Sequence, residues 1–237
     1  MTDLQPLQPC TEMNLDALPG GHQPVFDALP IELKECLRNT SRVLLVANNP
    51  AITAADVEAL NIGVDDVVVS FNTCVKSALL TPLSVNVFVH GFNAPDAYFF
   101  GLPYGPQVQQ LFEQPGTRCF TMLVGCTGAM CALPQVTLYW ERIPLPPLWN
   151  YPVDRPGGKR YVGPSTGFNA LVLFDWLRGH AGYTYELMTL GFSNEAGKLW
   201  GGHAWDYERD WLTRSDVVRI QLQPRRKRWW QVLLGRT

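Results

Sequence analysis

The residue with most chemistry to offer in this chain is His203, set in Gly201-Gly202-His203-Ala204-Trp205-Asp206-Tyr207-Glu208. Two glycines ahead of it let backbone and ligand come close. At a helix start, the positive end of the helix dipole disfavours imidazolium. A ring held neutral in this way is what a general base needs near pH 7. Glu208, five residues on, would sit about 140° around an ideal helix from that start, on another face. It is therefore assigned an orienting or structural role, beside possible phosphate or acceptor contacts. Asp206 and Asp210 are read as facing solvent.

An anion cradle is written upstream, in Gly163-Pro164-Ser165-Thr166-Gly167-Phe168. Ser165, Thr166 and Gly167 open an apolar helix whose first amides lack internal partners. Those amides, the hydroxyls and the dipole suit a phosphate. The competing reading is an ordinary Ser/Thr helix cap. Asn48 and Asn49 follow the first buried strand, where amides suit a ribose hydroxyl or a single phosphate; plain Asn-Pro turn chemistry competes. Asn72 and His90 close the second and third strands and face the same edge.

Missing motifs narrow the class. There is no GxGxxG, Walker loop, GxSxG or HExxH, and no DxD to hold a metal on a nucleotide diphosphate. No metal or other cofactor is expected. A leaving group with one phosphate needs only neutral donors, a histidine and a helix end.

Elements that must position these groups follow from hydropathy. Residues 43–47 are a continuous apolar run, as a buried parallel strand is, and 67–71 and 85–89 supply a second and a third strand. Thr53 caps a helix over residues 54–60, completing a βαβ unit. Further strands are expected at 118–124, 135–140 and 186–190, with an edge strand within 217–222. Helices are expected at 31–37, 166–178 and 205–212, and a Pro-rich loop over the site at 143–156. The fold class is α/β: a single Rossmann-like three-layer sandwich with a mostly parallel central sheet. Residues 1–40 read as an irregular lead-in, 41–222 as the catalytic domain and 223–237 as a basic, Trp-rich tail.

At 237 residues and 46% hydrophobic, the chain can bury one large core. No run is long enough to span a bilayer, and the N-terminus lacks the pattern of a secretory signal. The six cysteines are scattered and read as free thiols, consistent with a cytoplasmic setting. The net charge of −2 hides an asymmetry: residues 1–208 carry 11 basic and 19 acidic side chains, residues 209–237 eight and two. The extreme is Arg225-Arg226-Lys227-Arg228-Trp229-Trp230-Gln231-Val232-Leu233-Leu234. Cations followed by indoles fit a peripheral anchor on an anionic membrane surface; a solvated tail or protein contact competes. Nucleic acid is disfavoured because the rest of the chain is acidic.

In order and spacing these motifs resemble the sialyltransferase superfamily, specifically its animal-type family with small bacterial relatives. That family has a long motif at the first βαβ unit, a short PSTG-like motif and a late H-x4-E motif. Here they correspond to residues 43–72, 163–192 and 203–208. The resemblance implies a metal-independent transferase that takes a sugar acid (sialic acid or Kdo) from a CMP-activated donor. It implies that Asn49 and Asn72, with Asn48 adjacent, contact the donor phosphate and ribose. Ser165, Thr166 and Gly167 would lie along the cytidine nucleotide, and His203 would deprotonate the acceptor. The acceptor would be a surface glycan or glycolipid of the lipopolysaccharide or capsule kind, at the inner membrane face. No cysteine stands in 163–192 to form the disulfide of secreted members. The family's aromatic-histidine motif is absent, with Lys198-Leu199-Trp200 in its place, which passes the leaving phosphate to Lys198 or His90. Two other classes compete: an inactive nucleotide-binding or scaffold protein, and a nucleotide-dependent enzyme of another reaction type, such as a metal-requiring pyrophosphokinase.

Overall fold

Strands that are apolar on both faces need cover on both sides, and the chain supplies it. The computed structural model describes residues 29–72, 84–91, 110–111, 113–124, 136–140, 145–192 and 199–222. Helix α1 (Ile31–Asn39) leads into β1 (Arg42–Val46), and α2 (Ala54–Glu58) carries the chain to β2 (Val67–Phe71). Strands β3 (Val85–Gly91), β4 (Arg118–Val124) and β5 (Val136–Trp140) follow, then α3 (Pro146–Trp149). A short ribbon, β6 (Asp154–Arg155) and β7 (Lys159–Arg160), precedes α4 (Thr166–His180), β8 (Glu186–Leu190), α5 (Trp205–Arg214) and β9 (Val218–Ile220).

Seven strands form one sheet in the order β5-β4-β3-β2-β1-β8-β9, every neighbouring pair parallel. The chain steps outward from β1 to β5, then returns to lay β8 on the other side of β1. That reversal is a topological switch point, where such sheets leave a crevice beyond the carboxyl ends of the strands. Val43 and Leu45 of β1 join one core with α1, α4 and α5; Leu44 and Val46 join a second core with Val57 and Leu60 around α2. Right-handed crossovers in opposite directions place their helices on opposite faces, which explains why α2 and α5 lie on different sides. The molecule is an α/β sandwich of the Rossmann-like kind.

Local chemistry sets the helix ends. Thr53 and Asp56 form a reciprocal capping box at α2. Ser165 caps α4 by accepting from the Phe168 amide at 3.1 Å. Helix α4 is apolar nearly all round, with Phe168, Leu171, Leu173, Phe174 and Leu177 buried, as a helix between sheet and neighbouring helices must be. Helix α5 is held against it by Tyr151, Phe168, Tyr207 and Trp211, whose rings meet edge-on or tilted at 5.3–6.1 Å.

The helix expected at 31–37 is α1, which buries Leu33 and Leu37 in the core. One expectation changes. The Pro-rich stretch is described from residue 145 and is no loose cover: Leu145 and Tyr151 are buried, because α3 turns the chain back onto α4 and α5. Among the described residues no helix is long and apolar enough to cross a membrane. Cys36 and Cys119 are free thiols, Cys119 pushed up to about 12 by burial; the other four cysteines lie outside the described residues.

Candidate functional site

The early asparagines first of all tie strands together at the switch point. Asn49, only 7% exposed, donates from Nδ2 to the Gly191 carbonyl at 2.9 Å and accepts the Ala51 amide on Oδ1 at 2.8 Å. One side chain thus straps the end of β1 to the end of β8. Asn48 Nδ2 donates to the Phe71 carbonyl at 2.8 Å, tying β1 to β2. Asn72 turns the chain at φ 51° while its amide donates to the Val89 carbonyl at 2.8 Å. Asparagine tolerates that left-handed backbone better than most residues.

The opening of α4 reaches the same edge. A Cβ placed on Gly167 would meet the Phe192 ring at 3.2 Å and the Phe71 ring at 3.9 Å, so this helix end rests on residues that follow β8 and end β2. Phe71 and Phe192 themselves meet edge-on at 5.8 Å. The amides of Thr166 and Gly167 have no intrahelical acceptor, as first-turn amides never do.

Ser165 is occupied from within. Its amide donates to Glu208 Oε1 at 2.8 Å and its hydroxyl to Oε2 at 2.7 Å. Tyr151 adds a third bond, donating to Oε1 at 2.8 Å while accepting the Ala204 amide at 2.6 Å. Glu208 is 4% exposed, so it stands inside the protein and not where a phosphate or acceptor would touch it. Burial pushes its carboxyl above the usual range, against the hydrogen bonds from Ser165 and Tyr151. Part of the anion affinity of the α4 terminus is spent on this internal carboxylate. Spacing put Glu208 on a face away from His203; its partners, 43 and 57 residues upstream, carried no sequence signal.

His203 stands just before α5, whose N-cap is Ala204. Its Nδ1 lies 2.6 Å from the Gly163 carbonyl. A carbonyl only accepts, so Nδ1 carries the hydrogen and Nε2 of the neutral ring keeps its lone pair. Burial lowers the imidazole's pKa below the usual value, opposed by the Gly163 bond. Two indoles flank the ring: Trp200 at 4.7 Å and Trp205 at 5.1 Å between ring centres, both edge-on. Trp205 Nε1 donates to the Trp200 carbonyl at 2.8 Å, closing the frame.

Both glycines before His203 are closely approached by other side chains. A Cβ on Gly202 would meet the Trp200 ring at 2.4 Å, and one on Gly201 the Arg155 guanidinium at 2.8 Å. The Val162 amide donates to the Gly202 carbonyl at 2.8 Å, seating the β6–β7 ribbon on this turn. Tyr151, Trp200, Trp205 and Arg155 were not read from sequence. Only the Trp200/Trp205 spacing around His203 hinted at any of them.

The structure therefore links Asn48, Phe71, the α4 opening, Gly163 and His203 through consecutive contacts at one edge of the sheet. His90 lies on β3, paired with Leu123, and the placement of its imidazole is outside the described residues. Lys198 and the tail from Arg225 to Leu234 are also outside them. A cavity of about 570 Å³ lies at the opposite, amino edge, against Trp176, Arg178, Tyr183 and Tyr185. Its Arg178 is neutralised by Asp175 and Asp216. Among the described residues no group of three or more His, Cys, Asp or Glu side chains could hold a metal ion. No protein-family model matches this chain, and no curated protein or solved structure matches it.

Proposed function

We propose that this chain is a metal-independent glycosyltransferase that moves a sugar acid, sialic acid or Kdo, from a CMP-activated donor to a glycan or glycolipid acceptor. One observation carries the reading. His203 is a neutral, indole-framed imidazole whose Nδ1–H is fixed on the segment that opens α4, leaving Nε2 as acceptor. In the proposed step, Nε2 takes the proton of an acceptor hydroxyl as that oxygen bonds to the anomeric carbon of the donor. The anomeric carbon–phosphate oxygen bond breaks, CMP leaves with the electron pair, and the imidazolium returns its proton to solvent. The amides of Thr166 and Gly167 and the helix dipole offer the leaving phosphate its donors. Asn48, Asn49 and Asn72 would frame the nucleotide chiefly by shaping the crevice, since their amides also serve the fold.

The test is CMP release and sugar transfer by purified protein given CMP-sialic acid or CMP-Kdo and a panel of glycan acceptors. His203→Ala and Asn72→Ala are compared with wild type. Full activity in both variants, or none in wild type with either donor, would refute the assignment. We place the protein peripherally on an anionic inner membrane face through its basic, Trp-rich tail. Deleting residues 225–237 should then weaken liposome binding and spare transfer to a soluble acceptor.

A second reading, a nucleotide-binding protein without turnover, is favoured by one observation. The Asn49 amide and the Ser165 hydroxyl and amide are already bonded within the protein. Calorimetric CMP binding without turnover on any donor would select it.

A further inference from the structure

The β6–β7 ribbon carries a charge arrangement that folding alone does not explain. Its register sets Arg155 opposite Lys159 and Asp154 opposite Arg160. Residues directly opposite in an antiparallel pair share a face, and successive residues alternate. One face of the ribbon thus sets Asp154 opposite Arg160, one charge of each sign, although no ion pair joins them. The other face sets Arg155 against Lys159, two like charges at a position where like charges destabilise the pair. Among the described residues neither Arg155 nor Lys159 makes a salt bridge or a side-chain hydrogen bond.

The Arg155 guanidinium is not loose in solvent. It lies against Gly201, where any side chain would collide with it. Two residues further stands His203, and between them Trp200, itself 49% exposed, covers Gly202 with its indole. A guanidinium, a half-exposed indole and the His203 imidazole therefore meet around one four-residue turn. Indole faces pack against the apolar face of a sugar ring, and a guanidinium takes phosphate or carboxylate in a fork. Asp154 stands on the ribbon's other face, and Asp206 at the start of α5 is paired with Arg209.

We propose that this turn carries a subsite for an anionic sugar. Arg155, with Lys159, takes the negative group, and Trp200 the apolar face of the ring. Calling that sugar the acceptor rests on the transferase reading; the binding itself does not. An anion there satisfies the two opposed cations and holds a sugar hydroxyl beside His203.

The test uses glucose 6-phosphate against glucose as probes, with the full chain and no donor, followed by tryptophan fluorescence and calorimetry. Wild type should bind the phosphorylated sugar at least about tenfold more tightly, the scale of one hydrogen bond to a charged group. Arg155→Ala should erase that preference. Gly201→Ala should do the same with the arginine still present, because its methyl displaces only the far end of a flexible side chain. Arg160→Ala, on the ribbon's other face, should keep it. Circular dichroism and thermal melts check that each variant is folded. Equal affinity for both sugars in wild type, an unchanged preference in Arg155→Ala, or an equal loss in Arg160→Ala overturns the subsite. If the preference follows Arg155 but neither CMP donor turns over, the subsite stands and the transferase reading falls. If transfer proceeds to acceptors irrespective of charge and Arg155→Ala leaves it unaffected, the transferase reading stands and the subsite falls.

Discussion

Replacing Tyr151 by Phe removes one oxygen atom, and the structure gives that atom two tasks. Its hydroxyl accepts the Ala204 amide at 2.6 Å and donates to Glu208 at 2.8 Å. Ala204 is 4% exposed, so its amide would lose its acceptor away from water. A buried unsatisfied amide costs about 1–3 kcal/mol, and a hydrogen bond to a charged group contributes about 1.5–3 kcal/mol. The phenyl ring keeps its packing against Phe168 and Tyr207, so no cavity cost is added. Both losses pass through one hydroxyl and do not sum fully, giving about 3 kcal/mol overall. For a chain of this size that is a fall in Tm of about 6–12 °C. Urea unfolding at pH 8 and calorimetry measure it, and the His203 ring signals in NMR should shift because the next residue has lost its tether. A change below about 0.5 kcal/mol with unmoved ring signals would show that this hydroxyl holds nothing.

The burial that lowers the His203 pKa places the acid limb of any transfer activity below the ordinary histidine value of about 6.5. Activity should fall as pH drops through that midpoint, because imidazolium cannot accept a proton; a midpoint at 7 or above contradicts the assignment. Gly202→Ala should drive Trp200 off the turn and move the His203 midpoint up toward the ordinary value, read by NMR titration. Glu208 has its folded pKa above the unfolded value of about 4.3, so the folded state holds the extra proton and wild-type stability falls as pH rises through that window. Glu208→Gln lacks this dependence and should gain on wild type as pH rises; a constant difference across the window rules the argument out. Gly191→Ala meets both a φ of 78° and Ile52 at 2.7 Å, and should cost about 2–4 kcal/mol. Gly182→Ala, at φ 75° in open space, should cost about 1 kcal/mol, and equal losses would mean that the strap at Asn49 is not tightly packed.

Much of the sheet was legible because its strands are short, mostly apolar stretches, the pattern favoured by a parallel sheet covered on both faces. Residues 67–71, 118–124 and 186–190 are strands over their expected ranges. The Thr53 cap and the Ser165 cap were legible for a similar reason, since both depend on residues three apart. Helix α1 was located, yet its membership of the core was not, because Leu33 and Leu37 name no partner in the sequence. At the site, the His203 turn was legible as a close approach through its glycine pair. What the glycines make room for was not: an indole and a guanidinium from a ribbon more than 40 residues upstream. The angular argument for Glu208 failed to find its partners because His203 precedes the helix and the carboxylate points to another element. Asn49 shows the limit in the other direction, since an amide suited to a ligand is equally suited to bridging two strand ends.

The step from His203 to Glu208 works as a ruler. One end carries the imidazole; the other, after a single turn of α5, plugs into the start of α4. Inserting one residue between them would swing the carboxylate by about 100° and carry it off Ser165. Drift in this stretch of chain is therefore confined to exchanges that preserve its length. The imidazole and the α4 opening are thus tied into one block, one bond through Gly163 and two through Ser165.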